Sequence, residues 1–220
     1  MSRSPSVARR ARERESLRAR ILDAARELFA AEGYDAVTIR RVAERIEYTP
    51  PVIYQHFADK AALIREICYA DFREFGAHFH ALLGVGDPIE RLTRMGELYV
   101  EFALTHPNHY RLMFMTPPPA EGPIDKTAID AEARGNPDLD AYAMLRLNVD
   151  AAYREGRFNP DLADPALIAH VLWQSLHGIV SMHIARGHDQ WIEYRDPRET
   201  ARLCMRALMH GLTCDAGRRP

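Results

Sequence analysis

Four dipeptides constrain this chain more than any other feature: Asp87-Pro88, Asn136-Pro137, Asp164-Pro165 and Asp196-Pro197. Each puts a side chain able to accept from free first-turn N–H groups directly before a proline. Proline at the first helical position lacks one of those donors and has its φ preset, so the pair reads as a helix start. Behind each mark the apolar residues recur at spacings of three and four, and no stretch sustains the period-2 alternation of a half-buried strand. Gly33, Gly84, Gly156 and Gly187 follow periodic stretches, as glycines just past a helix end do. The pattern predicts an all-α chain of about nine helices, with boundaries good to roughly 2–4 residues. They fall at 17–32, 39–46, 50–56, 60–83, 88–105, 107–115, 137–155, 165–186 and 197–212. The Pro- and Gly-rich run 116–136, TPPPAEGPIDKTAIDAEARGN, reads as a long functional or mobile loop. There is no internal repeat.

At 220 residues, 47% hydrophobic and 27% charged, the chain can bury a core and is not disordered by composition. No window approaches the ~18 uncharged apolar residues of a membrane span. The opening MSRSPSVARRARERES is charged where a signal peptide needs an apolar stretch. Cys68, Cys204 and Cys214 form no C-x-x-C pair, and the last two sit ten residues apart on one expected helix, too far to bridge. A reduced, cytoplasmic protein with ordinary buried thiols is expected, with no membrane contact. The net charge of −2 is unevenly spread. Residues 1–60 hold 12 Lys+Arg against 9 Asp+Glu, a surplus of three, and the remainder holds 17 against 22, a deficit of five. That asymmetry suits a basic module on an acidic body, although charge alone would equally describe a solvated Arg-rich tail.

The first sixty residues carry the clearest local pattern. Leu17, Ile21, Ala25 and Leu28, widened by Leu22 and Phe29, stripe the first helix, which Gly33 ends. Thr38 can cap a second helix that buries Ile39, Val42, Ala43 and Ile46 and exposes Arg40, Arg41, Glu44 and Arg45. Only Glu47 and Tyr48 separate it from Thr49, which can cap a third helix opening on Pro50 and Pro51. Val52, Ile53 and Phe57 anchor that helix and leave Tyr54, Gln55 and His56 at or near the surface. Two short helices joined by a tight turn and packed on a third make a helix-turn-helix, whose second helix presents its first residues to the major groove.

The runs ILDAARELFAAEGYDAVTIRRVAERI and TPPVIYQHFADKAALI closely resemble the DNA-binding domain of the tetracycline-repressor (TetR) family of bacterial regulators. The resemblance extends from residue 18 to about 66 without a gap. It implies a flexible basic arm over 1–16, a helix-turn-helix domain over 17–62 and a helical ligand-binding and dimerisation domain over 63–220. It also implies double-stranded operator DNA as partner, contacted by Thr49 and Pro50 near the bases and by Tyr54, His56 and Lys60 at phosphates. Thr38 and Arg40 or Arg41 lie on the helix that crosses the backbone. His56 has a second reading, as an anchor of the third helix against the first. Gln55 is the best candidate for base readout, through a bidentate contact to adenine. The chain departs from the family at Glu47, where glycine is usual, and at Pro51, where a small residue is. At a positive φ, Glu47 would cost about 1 kcal/mol. The arm residues Arg3, Arg9, Arg10 and Arg12 either reach the minor groove and phosphates or stay a solvated tail.

Further on, LWQSLHGIVSMHIARG with Trp173, His177 and Gly178, and HPNHYRLMF over 106–114, resemble the subset of these regulators named for a Trp-His-Gly signature. The resemblance implies a homodimer built from the last two long helices, with Ser175, Gly178, Ser181, Leu203, Ala207 and Leu208 at the interface. It implies a small, mainly apolar effector among Met95, Tyr99, Phe102, Tyr110, Phe114, Tyr142, Trp173 and His177. Each of those residues taken singly also reads as plain core. The expected function is a repressor released from a palindromic operator by that effector. None of the ten histidines lies in the dense spacing of a metal site, so neither metal nor cofactor is expected. With no G-x-S-x-G, P-loop, H-E-x-x-H or dinucleotide fingerprint, an enzyme is not expected either. A purely protein-binding helical adaptor fits the string I-Y-x-H-F and the basic N-terminus less well.

Overall fold

A computed structural model describes residues 5–33, 35–115, 135–137 and 140–214. The described residues form nine α-helices: α1 (Pro5–Glu32), α2 (Ile39–Arg45), α3 (Pro50–Tyr54), α4 (Lys60–His80), α5 (Pro88–Thr105), α6 (Pro107–Tyr110), α7 (Ala141–Arg154), α8 (Pro165–Arg186) and α9 (Pro197–Leu212). A 3₁₀ turn, Ala81–Gly84, follows α4, and a π-helical turn, Arg111–Met115, follows α6. The fold is all-α, as the periodicity predicts. Most of the 116–136 run, and Arg3 of the arm, lie outside the described residues. The chain divides into two compact units. The first comprises residues 1–71 and 108–126, the second 72–107 and 127–220.

In the first unit, α1 begins at Pro5, well before the expected residue 17. The run ARRARERESLRAR is rich in strong helix formers, and Arg9 meets Glu13 one turn on at 3.5 Å. Local propensity therefore carries the helix through a stretch that buries nothing. From Leu17 onward α1 turns an apolar stripe inward. Ile21, Ala25 and Phe29 are fully buried with Val37, Val42, Ala43, Ile53, Leu63 and Ile67. Leu112, from the π turn, joins that same core, which is why the unit is discontinuous in sequence. Beside it lies a buried ionic cluster. Asp71 of α4 has no exposed surface, and Arg26 of α1 meets it with Nε at 3.0 and 3.2 Å from its two oxygens and an NH2 at 2.8 Å. His109 Nδ1 stands 3.2 Å from the same carboxylate. Removing one partner of such a buried pair strands the other's charge, at about 3–5 kcal/mol.

In the second unit, α5 is the central helix, packed against α7, α8 and α9. The approach is close at Gly96, where a Cβ would come within 3.0 Å of Leu176 Cδ1 and 3.2 Å of Met205 Cε. Asp87, Asp164 and Asp196 cap α5, α8 and α9 as expected, each accepting from amides of the first turn ahead of a proline. Asn136-Pro137 does not start a helix. α7 is capped instead by Asp140, whose carboxylate accepts from the Tyr142 and Ala143 amides, and from Gly135 N–H through its other oxygen. Gly33 and Gly156 take the left-handed conformation of a helix exit, whereas Gly187 stays right-handed at φ −57. After α9 the chain closes against residues 157–159. Asn159 N–H donates to Leu212 C=O, and Cys214 N–H to Arg157 C=O.

Candidate nucleic-acid interface and effector cluster

The reading head is built from a helix that could not stand alone. α3 spans five residues, far too few to be stable in water by itself. Ile53 and Phe57 hold it by burial in the core of the first unit. Thr49 has the extended conformation of a helix cap (φ −101, ψ 151), yet its hydroxyl makes no capping hydrogen bond. Pro50 and Pro51 remove two first-turn donors, and the next, Val52 N–H, goes to the Thr49 carbonyl. The helix start is thus satisfied by backbone alone, and the exposed Thr49 side chain is not used in it. Tyr54 and Gln55 are exposed beside it, and Pro50 is half-buried. His56 is half-buried near Arg14 and Arg18 of α1, and its Nδ1 is shielded with no hydrogen-bond partner among the described residues. Burial first, then those two arginines, hold its imidazole below the ordinary value, opposed by Glu15.

The turn before α3 contains the one strained backbone position outside glycine among the described residues: Glu47 has φ 63. Tyr48 N–H reaches back to the Ala43 carbonyl at 2.9 Å, and that return requires the left-handed step. Arg20 supports the turn, donating through Nη2 to the Ile46 carbonyl at 3.2 Å and laying its guanidinium over the Tyr48 ring.

On α2, Thr38 caps as expected, its hydroxyl accepting from Arg41 N–H. Arg40 pairs with Glu44 at 2.8 Å, Arg41 pairs with Glu32, and Arg45 pairs with Glu27 at 3.1 Å. The arginines assigned to the DNA backbone therefore meet the protein's own carboxylates in this structure. Lys60 donates through Nζ to the Val37 carbonyl at 3.0 Å, tying the start of α4 to the entry of α2.

In the second unit the structure brings most of the expected effector residues together. Trp173 Nε1–H donates to the Tyr99 hydroxyl at 3.2 Å, and the same hydroxyl lies 3.3 Å from His177 Nδ1. The Tyr142 hydroxyl lies 3.0 Å from His170 Nδ1, and the Tyr142 and Trp173 rings stand 5.8 Å apart. Burial holds the His177 imidazole below its ordinary value, so it is neutral at pH 7. Phe102 meets this group through Phe75, whose ring lies 4.8 Å from Phe102 and 5.6 Å from Tyr99. The sequence pattern did not single out Phe75, although Phe75 and Phe79 are spaced one turn apart on α4. Met95 is buried, with its Sδ 3.3 Å from the Asn148 amide. Asn148, a buried polar group that also accepts from Arg91 Nε, was missed as well. Tyr110 and Phe114 belong to the first unit, because the π turn sends the neighbouring Leu112 into that core. Burial, then Asp71, pushes the Cys68 thiol up to about 12 against the pull of Arg26, and burial raises Cys204.

Residues 21–67 match the family model "Bacterial regulatory proteins, tetR family", and residues 92–208 match "Tetracyclin repressor-like, C-terminal domain". The chain belongs to the TetR family. UidR, a transcriptional regulator of Escherichia coli K12, is 24% identical over 170 residues, covering 77% of this chain and 82% of UidR. The transcriptional repressor KstR of Mycolicibacterium smegmatis is 35% identical over 79 residues, 36% of this chain and 39% of KstR. Three solved structures share the fold. A TetR regulator of Marinobacter aquaeolei has TM-score 0.69 at 17% identity, covering 93% of this chain and 98% of its own. The ketosteroid regulator KstR2 of Mycobacterium tuberculosis has 0.65 at 18%, covering 90% and 95%. The fatty acid degradation regulator FadR of Bacillus halodurans has 0.68 at 14%, covering 95% and 97%. This TetR-family member is a transcriptional regulator whose helix-turn-helix is α2–α3. Among its described residues no helix is long and apolar enough to cross a membrane.

Glu47→Gly will relieve the left-handed strain of about 1–3 kcal/mol, less the chain-entropy cost of glycine. Thermal unfolding of the variant is expected to show a gain of about 1 kcal/mol, or roughly 2–4 °C in Tm. An unchanged or lower Tm would contradict the strain.

Proposed function

We propose that this chain is an effector-responsive repressor that binds a palindromic operator as a homodimer and releases it when a small, mainly apolar molecule binds its second unit. The observation that carries the DNA half is the exposure of Thr49, Tyr54 and Gln55 on a short helix pinned by Ile53 and Phe57. Thr49 and Pro50 then approach the bases, and Gln55 reads an adenine. Tyr54 and Lys60 face phosphates. Thr38, Arg40 and Arg41 follow the backbone, and His56 chiefly positions the helix. The effector reading rests on the Tyr99–Trp173–His177 group, an apolar wall with a polar corner that can orient one oxygen of a ligand. The Trp-His-Gly resemblance is part of this reading, since Trp173 and His177 meet at one hydroxyl. Steroid and fatty-acyl compounds are the first classes to try, because KstR2 is a ketosteroid transcriptional regulator and FadR a fatty acid degradation regulator.

The dimer reading rests on α8 and α9. Leu167, Gly178 and Met182 lie on one exposed face of α8, and Leu203 and Ala207 on one exposed face of α9; Leu167 and Leu203 are 60% and 61% exposed. Two copies pairing these faces form a four-helix interface of the isologous kind a palindrome needs. Ser175 and Ser181 bond carbonyls of their own helix and Leu208 is half-buried, so they line the edge of this face.

Four outcomes are expected. On a duplex selected by the wild type from a random pool, Gln55→Ala relaxes the preference at one base pair at about 1–3 kcal/mol; equal loss on random DNA would refute base reading. Light scattering gives twice the 25.1 kDa chain mass without DNA. Gly178→Arg, whose side chain starts in open space within one copy, gives the monomer mass with an unchanged far-UV spectrum; a dimeric variant would place the interface elsewhere. In a thermal-shift screen of steroids and fatty-acyl compounds, a hit that releases operator from the wild type releases folded Trp173→Ala far less. Equal release would put the effector site elsewhere.

A further inference from the structure

The start of α1 carries positive charge that lies outside the helix-turn-helix. From Pro5 to Ser16, α1 runs twelve residues, about 18 Å, before its first apolar residue reaches the core at Leu17. Arg10, Arg12 and Arg14 on this stretch are exposed and make no ion pair among the described residues. The contrast is with α2, where Arg40, Arg41 and Arg45 each meet a carboxylate. Three cations without a carboxylate partner among the described residues are thus gathered on the extension. The extension also borders a shallow groove of about 410 Å³, lined by Arg12, Glu13, Ser16, Leu17, Arg20 and Tyr48. Arg12, Ser16 and Arg20 are spaced four apart and share one face of α1. Tyr48 comes from the turn that leads into α3. The groove therefore offers two guanidinium groups and two hydroxyls beside the reading helix. Its one carboxylate, Glu13, is drawn to Arg9.

We infer that the α1 extension is a second DNA-contacting element, and that this groove seats a backbone phosphodiester next to the site read by α3. Two guanidinium forks with hydroxyl donors are chemistry for a phosphate oxygen. A duplex carries one charge per ~1.7 Å of axis, so an 18 Å basic helix meets several. The inference rests on the reading of α2–α3 as the DNA head, and it adds an anchor that is blind to sequence. Arg20 supports the turn as well as the groove, so the test leaves it alone.

The experiment is a titration of full-length wild type and of Arg10→Ala/Arg12→Ala/Arg14→Ala against the selected duplex and a random duplex, over a series of salt concentrations. Alanine is the best helix former, so the variant keeps its far-UV helix signal. The expected result is a plot of log K against log salt that flattens by about 0.9 for each phosphate the variant no longer neutralises. Affinity falls by the same factor on both duplexes. If the triple variant loses helix, Arg12→Ala alone carries the test, with a slope lower by about 0.9. A folded variant with wild-type slope and affinity overturns the inference while leaving the DNA head intact; a wild type that binds neither duplex overturns the head itself. Inorganic phosphate, titrated into DNA-free protein and followed at the Ser16 and Tyr48 amides by NMR, separates the two sources of this chemistry. A saturable response that disappears in Arg12→Ala, together with unaltered DNA slopes, would make the groove a free-anion site and overturn the DNA assignment.

Discussion

A chain made of helices must first satisfy their ends. Each helix leaves four N–H and four C=O groups without partners, and packing cannot proceed over ends that stay bare. Here Asp87, Asp140, Asp164, Asp196 and Thr38 accept those amides with their side chains. Arg20 takes the Ile46 carbonyl at the exit of α2. The reading helix is the exception that matters. With prolines at its first two positions it asks for little, and the side chain of its cap residue is left over. The constraint that shapes the whole fold is thus relaxed where the molecule addresses its partner.

Arginine pairing gives the DNA-facing surface a second character. Arg40, Arg41 and Arg45 are held by Glu44, Glu32 and Glu27. A phosphate that claims one of them must displace a carboxylate, and exposed pairs of this sort are worth only about 0.2–1 kcal/mol each. Under the proposed function the exchange is easy, but it lowers attraction toward any passing duplex and leaves contacts made only on close fit.

Much of this was legible in the amino-acid pattern, for identifiable reasons. Asx-Pro marks and apolar spacing are local signals, and the helices they announce at 88, 165 and 197 begin there. The positive φ of Glu47 was legible too, because a two-residue turn with no glycine leaves few other ways back to Ala43. What escaped was settled by competition or by distance along the chain. Asn136-Pro137 lost the start of α7 to Asp140, which offers its carboxylate to three amides. The extension of α1 has no apolar stripe, so only its propensity for helix marks it in the sequence. Tyr110 and Phe114 share the aromatic character of the effector residues, but a π turn and the burial of Leu112 place them in the first unit. Asp71 gave no sign at all, since its partners come from Arg26 and from His109, 45 and 38 positions away.

The discontinuity of the first unit bears on how the protein is made. The chain leaves this unit at Asp71 and returns at Asn108, and only then can Leu112 close its core and His109 approach the Arg26–Asp71 pair. On a ribosome adding roughly 5–20 residues per second, the nascent head waits several seconds with its core open and a charged pair incompletely surrounded. Its maturation is therefore bound to the emergence of α5, a helix that belongs to the other unit. A message truncated anywhere within that helix would release a head with all its DNA-facing residues and none of its seal.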